Sequence, residues 1–113
     1  MIGRSQQIPP ERTGGALEGI TVLELCGARG HFMGKLMGDM GARVIKIEPL
    51  EGAPERQIGP FMDDDPHSNR SLFFWAHNTS KESLELDIER PEGQEVIKRL
   101  AAVVDVILED FEP

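Results

Sequence analysis

Between Ile20 and Glu48 the chain reads ITVLELCGARGHFMGKLMGDMGARVIKIE: a strand, a glycine-bearing turn, an amphipathic helix and a second strand. Ile20, Val22, Leu23, Leu25 and Cys26 form a near-continuous apolar run broken by Thr21 and Glu24. Such a run suits a strand buried on both faces of a parallel sheet. Gly27 and Gly30 follow, where a chain leaving a strand can turn without a Cβ penalty. Phe32, Met33, Leu36, Met37 and Met40 then recur on one helical stripe, the pattern of a core-facing helix. Gly30, Gly34 and Gly38 recur on another stripe, where a helix can approach a strand closely, and Gly41 stands where a helix would stop. Val44, Ile45 and Ile47 supply the second strand. A unit of this form nearly forces a right-handed crossover between parallel strands, so the predicted fold class is α/β, a parallel sheet with flanking helices.

The 113 residues are enough for one small domain with a modest core. The formal net charge of -8, from 20 acidic against 12 basic residues, argues against nucleic acid as a partner, because phosphate binding wants a basic surface. One cysteine excludes an internal disulfide, and a reducing cytoplasm is the simplest home. No apolar run is long enough to span a membrane, and residues 1–16 lack the apolar core of a signal peptide; they read as a flexible lead-in. The chain stops at Asp110-Phe111-Glu112-Pro113, directly after an apolar strand. An open α/β sheet needs helices over both faces, so the expectation is the front portion of a longer protein, or a piece that needs a partner chain.

Residues 49–70 hold four prolines and two glycines without a sustained period, and predict a long functional or mobile loop. Its Asp63-Asp64-Asp65 run reads as a solvated tip rather than a cation site, because no ligand-spaced partners follow. The aromatic stretch 71–76 fits a short helix or a strand. Residues 78–81 read as a turn, and 83–88 as a strand with Leu84, Leu86 and Ile88 on one side. Pro91 opens a helix whose Glu92 and Glu95 lie near its positive end and Lys98 and Arg99 near its negative end. Val96, Ile97, Leu100, Ala101 and Val104 form its predicted buried stripe, and Val106-Ile107-Leu108 the last strand.

Open α/β sheets bind ligands at the carboxyl ends of their strands, which points to the turn after the first strand. A dinucleotide site wants G-x-G-x-x-G, and Gly27-Ala28-Arg29-Gly30 fails that pattern. An S-adenosylmethionine-dependent methyltransferase site looks similar over 20–48, with Glu48 about the ~20 residues onward expected of a ribose ligand; Glu48 reads equally as a strand-end residue facing solvent or an arginine. Arg29 could face a phosphate or be a surface charge. Cys26 with His31 or His77 is a conceivable catalytic pair, although a cysteine on an apolar strand is more often a small core residue. His31, His67 and His77 with one cysteine do not form a metal set. There is no Walker loop and no serine nucleophile elbow.

Several stretches, in order, carry a resemblance. They are LEGITVLEL at 17–25, MGDMGARVIKIEP at 37–49, GAPER at 52–56, Gly59-Pro60, NTSKESLELD at 78–87, Pro91-Glu92-Gly93, Ala101, Asp105-Val106 and EDFEP at 109–113. Together they resemble the start of a class III (family III) CoA-transferase, the group containing formyl-CoA transferase and crotonobetainyl-CoA:carnitine CoA-transferase. On this resemblance 17–113 is the N-terminal portion of such a domain, holding coenzyme A on a Rossmann-like sheet. Members move CoA from an acyl-CoA to a small carboxylic acid through an aspartate that attacks the thioester, which is covalent catalysis by a carboxylate. None of Asp87, Asp105 or Asp110 matches that aspartate, so the expectation is no catalysis by this chain alone.

The resemblance further implies CoA contacts at Gly27, Ala28 and Arg29, at Leu86, Asp87, Ile88 and Glu89, at Asp110 and Phe111, and at Arg56 in the loop. Arg29 or Arg56 would meet phosphates, and Phe111 would offer apolar contact. Homodimeric assembly is implied too. Three departures stand out: a first turn about one residue shorter, Glu82 in place of a basic residue, and Asp110 in place of asparagine. The last two put negative charge where a polyanion would lie. An acyl-CoA racemase or isomerase on the same scaffold and a non-catalytic binding remnant are the other readings.

Overall fold

A computed structural model describes residues 14–113. The expected lead-in falls largely on residues 1–13, outside the described residues. Among these residues four parallel strands alternate with three α-helices: β1 (Thr21–Leu25), α1 (His31–Asp39), β2 (Arg43–Glu48), α2 (Leu72–Asn78), β3 (Lys81–Glu85), α3 (Pro91–Ala101) and β4 (Val106–Glu109). The sheet order is β3-β2-β1-β4. Val22 lies opposite Val44 and Val106, and Val44 opposite Lys81, so one sheet face carries Val22, Glu24, Val44, Lys46 and Lys81. Leu23, Leu25, Ile45 and Ile47 point to the other face.

Val22, Ala42 and Val44 form the buried apolar cluster, with Leu17, Ile20, Met37, Val106 and Leu108 packed around it. Gly41 ends α1 at φ 105°, and the Ala42 N–H returns to the Met37 carbonyl. The 71–76 stretch resolves as a helix because Ser71 caps α2: its hydroxyl accepts from Phe74 N–H at 2.9 Å. Pro91 opens α3 as expected.

Two expectations change. The predicted 83–88 strand is β3 at Lys81–Glu85, two to three residues earlier. Lys81 is drawn into the sheet by a buried carboxylate, and the Asp87 side chain accepts from Glu89 N–H at 3.0 Å, turning the chain. The apolar stripe of α1 does not face the core. Phe32, Met33, Leu36 and Met40 are exposed, and only Met37 packs inward. The glycine face is the buried one: a Cβ on Gly34 would overlap Glu24 Oε1, and one on Gly38 would lie 2.8 Å from the Ser80 carbonyl oxygen. The α3 stripe (Val96, Ile97, Leu100, Ala101, Val104) is half-buried. No helix among the described residues is long and apolar enough to cross a membrane.

Candidate functional site

The carboxyl ends of the four strands open into a cavity of about 540 Å³. Its walls come from the ends of β1 and β2, the turn at 53–55, the segment after β3 and the end of β4. Leu25, Ile47, Leu50, Leu86, Ile88 and Phe111 give it an apolar body, the usual character of a small-molecule site. Of the residues nominated from sequence, Gly27, Leu86, Asp87, Ile88, Glu89, Asp110 and Phe111 all line this cavity. Segments up to 84 positions apart in the chain therefore meet at one place.

Asp110 anchors the floor. Its carboxylate accepts from Gly27 N–H at 3.0 Å and from Gly30 N–H at 2.9 Å, at the start of α1. Gly30 N–H is shared between Asp110 and the Gly27 carbonyl at 3.2 Å, and the macrodipole favours an anion there. The turn therefore holds the protein's own carboxylate, and the negative charge foreseen at 110 is absorbed by backbone donors. Glu82 lies elsewhere, on the edge strand β3, paired with Arg43 of the neighbouring β2.

Ala28, Arg29 and Arg56 do not line the cavity. Ala28 is exposed. Arg29 pairs with Glu112 at 3.1 Å and donates to the Asp110 carbonyl. Arg56 pairs with Glu48 at 2.8 Å and lies 4.0 Å over the Phe74 ring; it borders a second, smaller depression of about 340 Å³. Glu48 thus meets an arginine at the strand end. Burial alone would raise its pKa, but hydrogen bonds from Arg56, Ser83 and Ala53 N–H hold it below the usual carboxylate value.

Sequence reasoning missed an ionic cluster beneath α1. Glu24 is fully buried and meets Lys46 Nζ at 2.9 Å and Lys81 Nζ at 2.8 Å. Lys46 also donates to the Cys26 carbonyl (2.8 Å), and Lys81 to the His31 carbonyl and Asn78 Oδ1 (both 2.7 Å). The available signal was an acid and a base in two neighbouring, otherwise apolar strands. Burial lowers the Lys81 pKa, and the Glu24 contacts only partly restore it. His31, 2% exposed, stacks on His77 with centroids 4.7 Å apart, and burial, reinforced by the positive neighbours, lowers its pKa to about 4. Burial, with the Glu24 and Asp110 carboxylates, pushes the Cys26 thiol up to about 11. That thiol stays protonated near neutral pH, which favours the core reading of Cys26 over a Cys–His pair. Asp63 and Asp65 pair with Arg70, and no group of His, Cys, Asp and Glu that could hold a metal occurs among the described residues.

A parallel open sheet with an apolar cavity at its strand ends defines an α/β protein with a strand-end ligand site. Comparison with known proteins gives the family. The model of CoA-transferase family III matches residues 17–113, and the chain belongs to that family. It is 40% identical over 112 residues to the succinyl-CoA–D-citramalate CoA-transferase of Chloroflexus aurantiacus, covering 96% of this chain and 26% of the relative. It is 38% identical over 100 residues to the mouse succinyl-CoA:glutarate CoA-transferase, covering 86% of this chain and 22% of the relative. A crystal structure of a CAIB/BAIF family protein from Brucella suis superposes with a TM-score of 0.77 at 37% identity, over 86% of this chain and 26% of that one. The chain spans about a quarter of the length of the curated relatives it matches.

Proposed function

We propose that residues 17–113 are the N-terminal portion of a CoA-transferase domain, and that the strand-end cavity is its half of a CoA thioester site. The observation that carries this reading is convergence. Gly27, the 86–89 segment, Asp110 and Phe111 are distant in sequence yet line one cavity of about 540 Å³. The apolar body suits the pantetheine arm. Ala28 and Arg29 belong to the same turn but stand off the cavity wall, where they would meet only a ligand reaching past its rim, and Arg56 acts from beneath by fixing Glu48. The parent reaction is transfer of CoA from an acyl-CoA to a small carboxylic acid, the kind of reaction named for the relatives.

The carboxylate nucleophile is not among Asp87, Asp105 and Asp110. Each is committed to backbone N–H groups: Asp87 to Glu89, Asp105 to Thr21, Asp110 to Gly27 and Gly30. A carboxylate so engaged is a poor attacking group. Homodimeric assembly and a cytoplasmic setting complete the reading, supported by the family membership and by a single free cysteine.

Two measurements test it. Titration of the isotope-labelled chain with CoA should move the amide signals of Gly27, Leu86 to Glu89 and Phe111; shifts confined elsewhere would remove the site. A thioester-exchange assay on the chain alone should show no turnover, and measurable transfer would overturn the placement of the nucleophile.

A further inference from the structure

The cavity wall at Gly27 is shaped by contacts rather than by the turn itself. Residues 27–30 begin and end on glycine, so the segment has little conformational preference of its own. Gly27 stands on the wall between two carboxylates: its N–H donates to Asp110, and Glu55 Oε1 lies 3.0 Å from the point a Cβ on Gly27 would occupy. A small tilt of the Cys26–Gly27 peptide would therefore reshape the wall.

That peptide is held at both poles. Its N–H meets the Asp110 carboxylate at 3.0 Å, and its carbonyl accepts from Lys46 Nζ at 2.8 Å. A peptide unit is planar, so a bond at each pole fixes its plane. Past the other end of the turn, Lys81 Nζ donates to the His31 carbonyl at 2.7 Å. Both lysines stand on Glu24, at 2.9 and 2.8 Å, and both side chains are 2% exposed. One carboxylate needs one counter-ion. A second buried ammonium adds desolvation cost without adding an opposite charge, so stability alone gives no reason for it. The two carbonyls do: each lysine sends a further donor to the backbone at one end of the turn.

We propose that Lys46 and Lys81 are positioning residues for this turn, with Lys46 acting on the cavity through the Cys26–Gly27 peptide. Neither lysine lines the cavity. The inference rests on the thioester-site reading above and adds to it the groups that hold its wall in place.

The test compares Lys46→Met with Ile20→Val in the full chain. Ile20 packs on the core cluster, just before β1 and at the opposite end of that strand from the turn, so its truncation lowers overall stability without touching the turn. Under native conditions, hydrogen exchange at Gly27 N–H should rise about tenfold in Lys46→Met relative to the Val22 and Leu23 amides of β1, and should show no such selective rise in Ile20→Val. By calorimetry, CoA affinity should fall about tenfold in Lys46→Met and stay at the wild-type value in Ile20→Val. Lys81→Met keeps the Glu24–Lys46 pair, releases the other end of the turn and should weaken CoA as well. One measurement needs no variant to fold: in the isotope-labelled wild type, the Lys46 Nζ signal should couple to the Cys26 carbonyl carbon and move when CoA is added. If Gly27 and the β1 amides rise together in Lys46→Met and CoA binds it as it binds the wild type, the lysine serves packing alone and the inference is refuted while the thioester site stands. A selective rise at Gly27 with unchanged CoA affinity also overturns it, because the turn would then move without consequence for the site. If the wild type binds no CoA, the thioester-site reading falls, and the exchange arm alone decides whether Lys46 sets the turn.

Discussion

Replacing Glu24 by Gln tests the ionic cluster under α1. Glu24 is fully buried and is the shared acceptor of Lys46 and Lys81, whose side chains are each 2% exposed. Three buried ions with two positive charges and one negative are already imbalanced. Glu24→Gln removes the only opposing charge in the group and leaves two ammonium groups facing an amide. The amide oxygen can accept from one lysine, but the amide NH₂ then meets the other, donor against donor. Breaking a buried pair by removing one partner costs about 3–5 kcal/mol, and one carboxylate serving two donors belongs at the upper end. About 5 kcal/mol is comparable to the whole stability of many domains.

Lys46→Met is the matched control. It leaves Glu24 and Lys81 as a balanced pair and orphans only the Cys26 carbonyl, a loss of about 1 kcal/mol. Urea unfolding of the two variants should therefore separate them by several kcal/mol, Glu24→Gln the weaker. Burial lowers the Lys81 pKa, so its neutral form is the more accessible in the fold. The deficit of Glu24→Gln should accordingly shrink as pH rises toward 10.5. If Glu24→Gln unfolds with Lys46→Met, or later, the cluster is not the electrostatic keystone described.

Gly34→Ala should destabilise by about 2–4 kcal/mol in thermal or urea unfolding, although alanine is worth about 1 kcal/mol in helix propensity, because the new methyl overlaps Glu24 Oε1 with Lys81 Cε 3.2 Å away. His31 has its folded pKa depressed from 6.5 to about 4, so its contribution is intact above pH 6.5 and is lost as pH falls toward 4, by about 3 kcal/mol; His31→Phe should flatten that part of the stability profile. Asp110→Ala should cost about 1–2 kcal/mol by freeing Gly27 N–H and leaving Gly30 N–H only its longer bond to the Gly27 carbonyl, and Asp110→Asn, which keeps one acceptor oxygen, should recover much of it; amide exchange at Gly27 reads the cap directly.

The path of the chain was legible because parallel strands announce themselves. Val22-Leu23, Val44-Ile45 and Val106-Ile107 are short apolar runs separated by helix-length segments, and Gly41 and Pro91 mark helix boundaries that the structure keeps. The boundaries of β3 were less legible, since its start is set by Lys81 reaching Glu24, a contact 57 positions long that no local window contains. The site segments came from ordered resemblance, which placed Gly27, Leu86 to Glu89, Asp110 and Phe111 together. Glu55 escaped because it sits in a single 3-10 turn, Pro54–Gln57, inside an irregular loop where periodicity has nothing to say.

The orientation of α1 is the more instructive failure, because the rule that misled is itself sound. Apolar area removed from water is worth about 25 cal/mol per Å², and that scale assigns Phe32, Met33, Leu36 and Met40 to the core. It takes no account of ions that lie on the sheet. Here Glu24, Lys46 and Lys81 project from β1, β2 and β3 toward the helix, and leaving such a cluster half-wet and half-paired would forfeit far more than a few methylenes. What roofs it must come close and bring no bulk, and Gly34 and Gly38 satisfy both demands. Once the glycine face is down, helical geometry sends the Phe-Met stripe outward, where Phe32 and Met33 are 50% and 53% exposed. A glycine at every fourth position beside an apolar stripe, above strands carrying an acid and a base, is therefore evidence about which way a helix turns.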